Sequence, residues 1–397
     1  MNAIVPHAMQ VQFERDELAR QAFISEMRGH LFRNVAPWLH PEYELKAAPA
    51  FEHEHGNKPE NSSDVHKSMR GEKLFRFYSA LRVNTQKLIY RSVLPGVERD
   101  ADNLVRQYRT LHQSTKKAKG TLTLDTALQV PNYVADIDVH LMPGCYHSEY
   151  QKEDVSAGAV YDNGSAVLFR STLGETDLIS ACVAKFTSAK NPEFKPQKIL
   201  DIGCTVGINT LPWATTYPDA EIHALDVAAP CLRYGHARAQ ALGKTVHFHQ
   251  GYGNETGLSD QSFDMIYSCM VLHELPPDVT RGVYREAHRL LKPGGLMLHY
   301  ELPPAKMLNA YENFMVDWDT WYNKEPYFMS FRAMDPEEEC VAAGFNRNNF
   351  VQYIILHPDY FGEERMMSEI HQKPEDAERL LHDNAEGVRW YCFGAWK

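Results

Sequence analysis

Apolar residues recur at helical spacing through the first 110 positions of the chain. Phe23, Ile24, Met27, Leu31 and Val35 share one face and predict an amphipathic helix over about residues 13–35, stopped by Pro37. Leu74, Tyr78, Leu81, Thr85 and Leu88 step in fours and threes, which predicts a second helix closed by Pro95-Gly96. Leu104, Tyr108 and Leu111 predict a third. Residues 47–64, with Phe-Glu-His-Glu-His-Gly followed by Asn, Pro and Ser, have the composition of a loop. From residue 198 the pattern changes to short apolar runs. Ile199, Leu200 and Ile202 form the first, as in a parallel strand covered on both faces. Further runs follow at 221–226, 246–249, 262–268, 296–301, 350–356 and 389–396, with helical stretches at 177–186, 230–242, 337–343 and 374–384. The expectation is an α/β fold: a seven-stranded, mostly parallel sheet with helices on both faces and an antiparallel end, preceded by a mainly α-helical N-terminal region.

Candidate chemistry concentrates where the first run ends. Asp201, Gly203 and Gly207 follow it in an Asp-x-Gly-x-x-x-Gly pattern, in which a missing side chain permits a tight turn and close approach to a ligand. A helix opening after Gly207 would direct free backbone N–H groups at that ligand. Asp226, at the tip of the second strand, lies about 20 residues beyond the turn, the offset that places a carboxylate on vicinal ribose hydroxyls. The reading Gly-Cys-Thr-Val-Gly-Ile from Gly203 misses two of the three glycines of a dinucleotide fingerprint, so the spacing favours S-adenosylmethionine.

In these residues the chain resembles the class I S-adenosylmethionine-dependent methyltransferases, whose first motif is Asp/Glu-x-Gly-x-Gly-x-Gly. It departs from that motif at the middle glycine, which is Thr205. The resemblance implies a Rossmann-like sheet and assigns cofactor contacts to Asp201, Gly203, Cys204, Thr205 and Gly207 in the turn. Asp226 and Val227 after strand two, Tyr252, Gly253 and Asn254 after strand three, and Cys269 and Met270 after strand four complete that set. Tyr252 stands where the family usually carries an acid for the adenine amino group; Asn254 offers an acceptor and Tyr252 a stacking face. His273 and Glu274 follow the central strand at the edge where open parallel sheets bind ligands, and Glu301 is expected to emerge at the same rim, with His299 the weaker candidate there. These three, His273, Glu274 and Glu301, are the catalytic candidates. A base matters only for an acceptor that holds a proton at neutral pH, and histidine has the suitable range. Leu290-Leu-Lys-Pro-Gly-Gly295, the turn into strand five, is a hallmark of the resembling family.

Two aromatic stretches are the candidates for substrate contact. Residues 131–162 gather Tyr146, Tyr150 and Tyr161 with Tyr133, His140 and His147 about a Pro143-Gly144 turn, and the family often covers its site with this segment. Residues 307–334 carry Tyr311, Phe314, Trp318 and Trp321, where the resembling fold commonly builds the wall of the substrate pocket. The expected division is a helical cap or dimerisation domain over 1–130, a connecting segment covering the active site over 131–176, and the S-adenosylmethionine-binding methyltransferase domain over 177–397.

Composition narrows the partners. A length of 397 residues suits two domains, and a net charge of −11 argues against a nucleic acid as the main partner. The basic run 116–120 reads as a solvated linker. Seven scattered cysteines without a Cys-x-x-Cys pair suggest neither disulfides nor structural zinc, and a reducing, cytoplasmic setting fits them. No apolar run approaches the roughly 18 residues of a membrane span, and residues 1–20 lack the apolar core of a signal peptide. His53 and His55 have no third ligand nearby, and no acid cluster for a metal is evident, so no metal is expected. The function expected is methylation at O, N or C of a small aromatic or apolar metabolite, as in specialised metabolism, with a homodimer through the N-terminal helices conceivable. The alternatives are a methyltransferase-fold protein using its cofactor for another reaction such as a cyclisation, or a non-catalytic binding subunit.

Overall fold

The computed structural model describes residues 6–113, 120–174, 176–382 and 387–397. Most of the basic run at 116–120 and the end of the helix expected at 374–384 lie outside them; the described part of that helix is Asp376–Leu381.

Among the described residues eight strands make one sheet: β1 (Leu122–Thr123), β2 (Lys198–Ile202), β3 (Glu221–Asp226), β4 (His247–Gln250), β5 (Phe263–Cys269), β6 (Leu291–Glu301), β7 (Phe350–Leu356) and β8 (Arg389–Trp396). Their order is β1-β4-β3-β2-β5-β6-β8-β7, with β8 inserted antiparallel between β6 and β7. The strand beyond the expected seven is β1, whose two residues pair in parallel with β4 at Leu122↔Phe248; two residues are too few to show a period. Ile199 through Ile202 are buried at every position, as are residues 295–301 of β6, so the central strands are covered on both faces. The helix Leu178–Lys190 sends Val183 and Phe186 into the sheet's core, and Pro277–Leu290 sends Val283 and Tyr284.

The N-terminal region departs from its expected outline in three places. The first helix, Arg15–His30, runs on through the turns Leu31–Val35 and Ala36–Trp38 into Leu39–Glu42; Pro37 sits in the first turn of a new helical segment, where its missing N–H forfeits nothing. Residues 47–64 are mostly helical, as Ala48–His55, closed by left-handed Gly56 (φ 82°), and Ser62–Met69, capped by the Asn61 side chain on Asp64 N–H. His55 stacks on Phe51 with ring centroids 4.0 Å apart. The second and third helices are one, Lys73–His112, continuous through Pro95. Val93 and Val97 are fully buried, and Gly96 lies against Phe13 so closely that a Cβ there would meet the ring at 2.5 Å. Burial of that face outweighs the ~3 kcal/mol a proline costs inside a helix.

The aromatic run after β6 is the largest correction. Helix Ala310–Tyr322 bolts the N-terminal helices to the sheet instead of walling a pocket: Tyr311 stacks on Tyr43 at 4.9 Å, Phe314 lies 5.3 Å from Phe75, and Trp318 5.5 Å from Phe75. Trp321 points outward, 77% exposed. A second shared core joins Tyr90, Val93 and Val97 of the long helix to Val160 of the helix Ser156–Phe169 and to Cys231, Tyr234 and Ala237 of the helix Ala229–Ala241. Among the described residues no helix is long and apolar enough to cross a membrane.

Candidate active site

Above the C-terminal ends of β2, β3 and β5 lies a cavity of about 230 Å³. Its floor begins at the glycine turn. Gly203 (φ 76°) bends the chain out of β2, and a Cβ there would meet the Val271 side chain at 2.5 Å, so only glycine fits. Gly203 and Cys204 both donate their N–H groups to the Leu225 carbonyl, tying the turn to β3. Thr205 takes a left-handed conformation (φ 48°) of the kind that favours glycine, and its N–H donates to Asp226 at 2.9 Å. The helix beyond the turn starts only at Leu211 and has six residues, Leu211–Thr216, so it does not open directly after Gly207 as expected.

Asp226 faces the cavity at the end of β3, its second oxygen held at 2.9 Å by Ala228 N–H; burial raises its carboxyl above the ordinary value. Gly203, Thr205, Val227, Gly253, Cys269 and Met270 line the same space. Asp201, Cys204, Gly207, Tyr252 and Asn254 do not. Asp201 is buried under the turn, where it accepts from Thr210 Oγ1, and burial pushes its carboxyl up to about 7 against that hydrogen bond. Cys204 is buried beside the turn, and Gly207 (φ 75°) packs toward Phe248. Tyr252 donates its hydroxyl to the Gln129 carbonyl at 2.8 Å, and Asn254 packs against Gly282.

The catalytic candidates come together at one wall. His273 and Glu274 sit in the turn Leu272–Glu274 after β5 and both line the cavity. Glu301, at the end of β6, stands behind them, accepting from His273 Nδ1 at 2.7 Å and from Leu272 N–H at 2.7 Å. Burial alone would lower the His273 pKa, but the Glu301 charge and hydrogen bond, with Glu325 and Glu274 nearby, lift it to about 9. At neutral pH the ring is therefore charged, which makes it a donor and not the free base expected from its residue type. Of the two candidate glutamates, Glu274 is the one that lines the cavity. His299 does not reach the rim: it is fully buried on Ser268 Oγ at 2.7 Å, and burial pushes it down to about 3.

Described residues between Tyr133 and Thr176 are among those that line the cavity. Tyr146 and Tyr161 line it, whereas Tyr150 is 77% exposed. Tyr146 donates its hydroxyl to Glu274 Oε1 at 3.1 Å. Among the polar aromatic residues that line the cavity, Tyr90 from the long helix, Tyr133 and His140 were not site candidates from the sequence. Tyr133 and His140 belong to the stretch rich in polar aromatics, which was their signal. Tyr90 shares the buried face of an amphipathic helix, where period alone reads packing. Tyr311, Phe314, Trp318 and Trp321 are not among the lining residues.

Residues 199–295, the span that holds the glycine turn, Asp226 and the His273–Glu274 turn, match the family model described as "Methyltransferase domain". This span is a methyltransferase domain. Relatives of the methyltransferase domain include a malonyl-[acyl-carrier protein] O-methyltransferase of Dechloromonas aromatica, 32% identical over 122 residues, 29% of this chain and 40% of that protein. A sterol 24-C-methyltransferase of Aspergillus fumigatus is 32% identical over 120 residues, 29% of this chain and 30% of its own. An uncharacterised Synechococcus protein is 34% identical over 114 residues, 28% of this chain and 27% of its length. The chain thus spans less than half the length of these relatives. Among solved structures, phosphoethanolamine N-methyltransferase 2 of Haemonchus contortus is similar at 18% identity and TM-score 0.37, over 54% of this chain and 51% of that one. A Nostoc punctiforme protein is similar over 97% of this chain and 100% of its own, at 14% identity and TM-score 0.42.

Proposed function

We propose that the chain transfers a methyl group from S-adenosylmethionine to a small molecule that enters the covered cavity. The observation that carries the reading is the shared cavity itself: the glycine turn and the Asp226 carboxylate, suited to a nucleoside, open into the space that Glu274 and His273 face. The residues fit the donor, since Gly203 leaves an approach that a Cβ would fill and Asp226 offers an oxygen acceptor for ribose hydroxyls. When bound, the donor supplies an electrophilic methyl on a sulfonium. The protein's part is to align the acceptor and exclude water, and the cover formed by segment 131–176 and Tyr90 serves both. For an acceptor that must lose a proton, Glu274 is the group placed to take it, while charged His273 donates to the acceptor's oxygen or nitrogen.

A small aromatic or apolar acceptor suits the lining. Tyr90, Tyr133, Tyr146, Tyr161 and Phe169 supply ring faces, and no lysine or arginine is among the described lining residues. The test is isothermal titration with S-adenosylmethionine and S-adenosylhomocysteine beside NADH. Micromolar binding of the sulfur ligands, about −8 kcal/mol, is expected, with loss of at least about tenfold in Asp226→Ala and no binding of NADH. Absence of binding by both sulfur ligands would sink the reading.

A further inference from the structure

His140 belongs to none of the roles assigned so far, yet three separate parts of the chain converge on it. Its Nε2 faces Glu274 Oε1 at 3.0 Å, in the turn after β5; its Nδ1 faces Glu325 Oε1 at 2.8 Å, beyond the helix Ala310–Tyr322. Its backbone N–H donates to the Asn323 carbonyl at 2.8 Å, and its carbonyl accepts from Gln86 Nε2, on the long helix, at 3.1 Å. The backbone is left-handed at His140 (φ 56°) and again at Leu141 (φ 60°), a conformation that costs a non-glycine residue about 1 kcal/mol or more and persists only where surroundings impose it. Both ring nitrogens meet carboxylates, so each must carry a proton. The ring is an imidazolium, and although burial opposes its charge, Glu325 and Glu274 hold its pKa at about 10.

The consequence falls on Glu274. Its Oε1 is taken twice, by His140 and by the Tyr146 hydroxyl, while Oε2 has no protein partner among the described residues and the side chain lines the cavity. Without the clamp a glutamate has three rotatable bonds with which to turn away. We propose that His140, braced by Glu325, is a positioning residue that fastens the Glu274 carboxylate so that its free oxygen faces the point of methyl transfer. The inference rests on the methyltransferase reading of this cavity.

Sinefungin, an analogue with a primary amine where the donor bears its sulfonium methyl, tests this without knowledge of the acceptor. An ammonium at that point senses a carboxylate that S-adenosylhomocysteine, lacking the amine, does not. Titrating the full chain with both ligands, the wild type is expected to prefer sinefungin by about tenfold, the scale of one charge-assisted hydrogen bond. The preference should vanish in Glu274→Gln. In His140→Ala it should fall to within about threefold of parity, with S-adenosylhomocysteine affinity kept within about threefold. Glu325→Gln, nearly isosteric, should show a smaller fall in the same direction. A preference unchanged in His140→Ala and Glu325→Gln, with both ligands still bound, overturns this proposal alone. If His140→Ala binds neither ligand, Glu325→Gln decides: a reduced preference supports the clamp and an unchanged one overturns it. A wild type that binds neither ligand overturns the cofactor reading as well.

Discussion

His273 shows how a neighbour changes the chemistry that residue type suggests. An ordinary histidine near pH 6.5 is poised to act as a base, and its position after the central strand was readable because motif spacing fixes chain position. Its charge was not readable, because Glu301 lies 28 positions away and meets it only through the pairing of β5 with β6. The folded-state pKa of about 9 stands above the unfolded value, so the pair contributes stability that is fully present below about pH 6.5 and is lost as pH rises through 9. Glu301→Gln removes the partner charge while keeping an acceptor for Leu272 N–H. It should cost about 3 kcal/mol at pH 6, the scale of a broken buried pair, with the deficit shrinking above pH 9. Urea unfolding at the two pH values measures this, and ring ¹⁵N shifts should report a His273 pKa at least about one unit lower in the variant. An equal deficit at both pH values would mean that Glu301 acts through shape and not through charge. Asp226 and Gly203 were legible because the demands on them are local: an acceptor at a strand tip, and a positive φ beside a packed Val271. The same logic read Tyr252 and Asn254 too far, since the loop after β4 turns Tyr252 to Gln129 instead of the cavity.

At the scale of elements, the strands were legible because their apolar runs are short, buried and separated by turn residues. Partners for amphipathic faces were not, because a 3.6-residue period reports that a face is covered without saying by what. Helix Ala310–Tyr322 is the case in point. Its aromatic residues matched a pocket wall by position in the fold, whereas they dock onto Tyr43, Phe75 and Tyr78. Pro95 misled in the opposite sense: a local breaking signal lost to the burial of Val93 and Val97 on either side. The docking role makes a prediction that a pocket role would reverse. Phe314→Ala should lower stability by about 3–5 kcal/mol, as for other buried phenylalanines, read from the midpoint of urea unfolding. Affinity for S-adenosylhomocysteine should stay within about twofold, because the side chain is not among those that line the cavity. A wall residue would show weakened ligand binding at nearly unchanged stability.

For the whole molecule, the question is whether the N-terminal helices and the sheet unit are independent. A boundary near residue 130 divides the sequence pattern cleanly, but the cores do not divide there. Ile89, Tyr90, Val93 and Val97 share one apolar cluster with Val206 and Ile208 of the glycine turn and with Tyr234 of the helix Ala229–Ala241. The Tyr234 hydroxyl also lies 2.8 Å from Asp162 and 3.1 Å from the Met9 carbonyl, both acceptors within reach of its one proton, so this N-terminal stretch is tied to that helix. Gln86 and Tyr90, both on the long helix, reach the His140 clamp and the cavity. Removing the N-terminal helices would uncover this cluster beside the cofactor turn and open the cavity wall. The expected result is a single cooperative unfolding transition for the full chain, with circular dichroism and tryptophan fluorescence coinciding. Tryptophan fluorescence samples both parts of the molecule, since Trp213 lies in the sheet core and Trp318 in the helical bolt. A fragment of residues 120–397 should bind a hydrophobic dye and lose S-adenosylhomocysteine binding. Two separated transitions, or a fragment that unfolds cooperatively and keeps its ligand affinity, would mean that the shared cluster is a contact between autonomous domains, and the helical region would then be a dispensable cover.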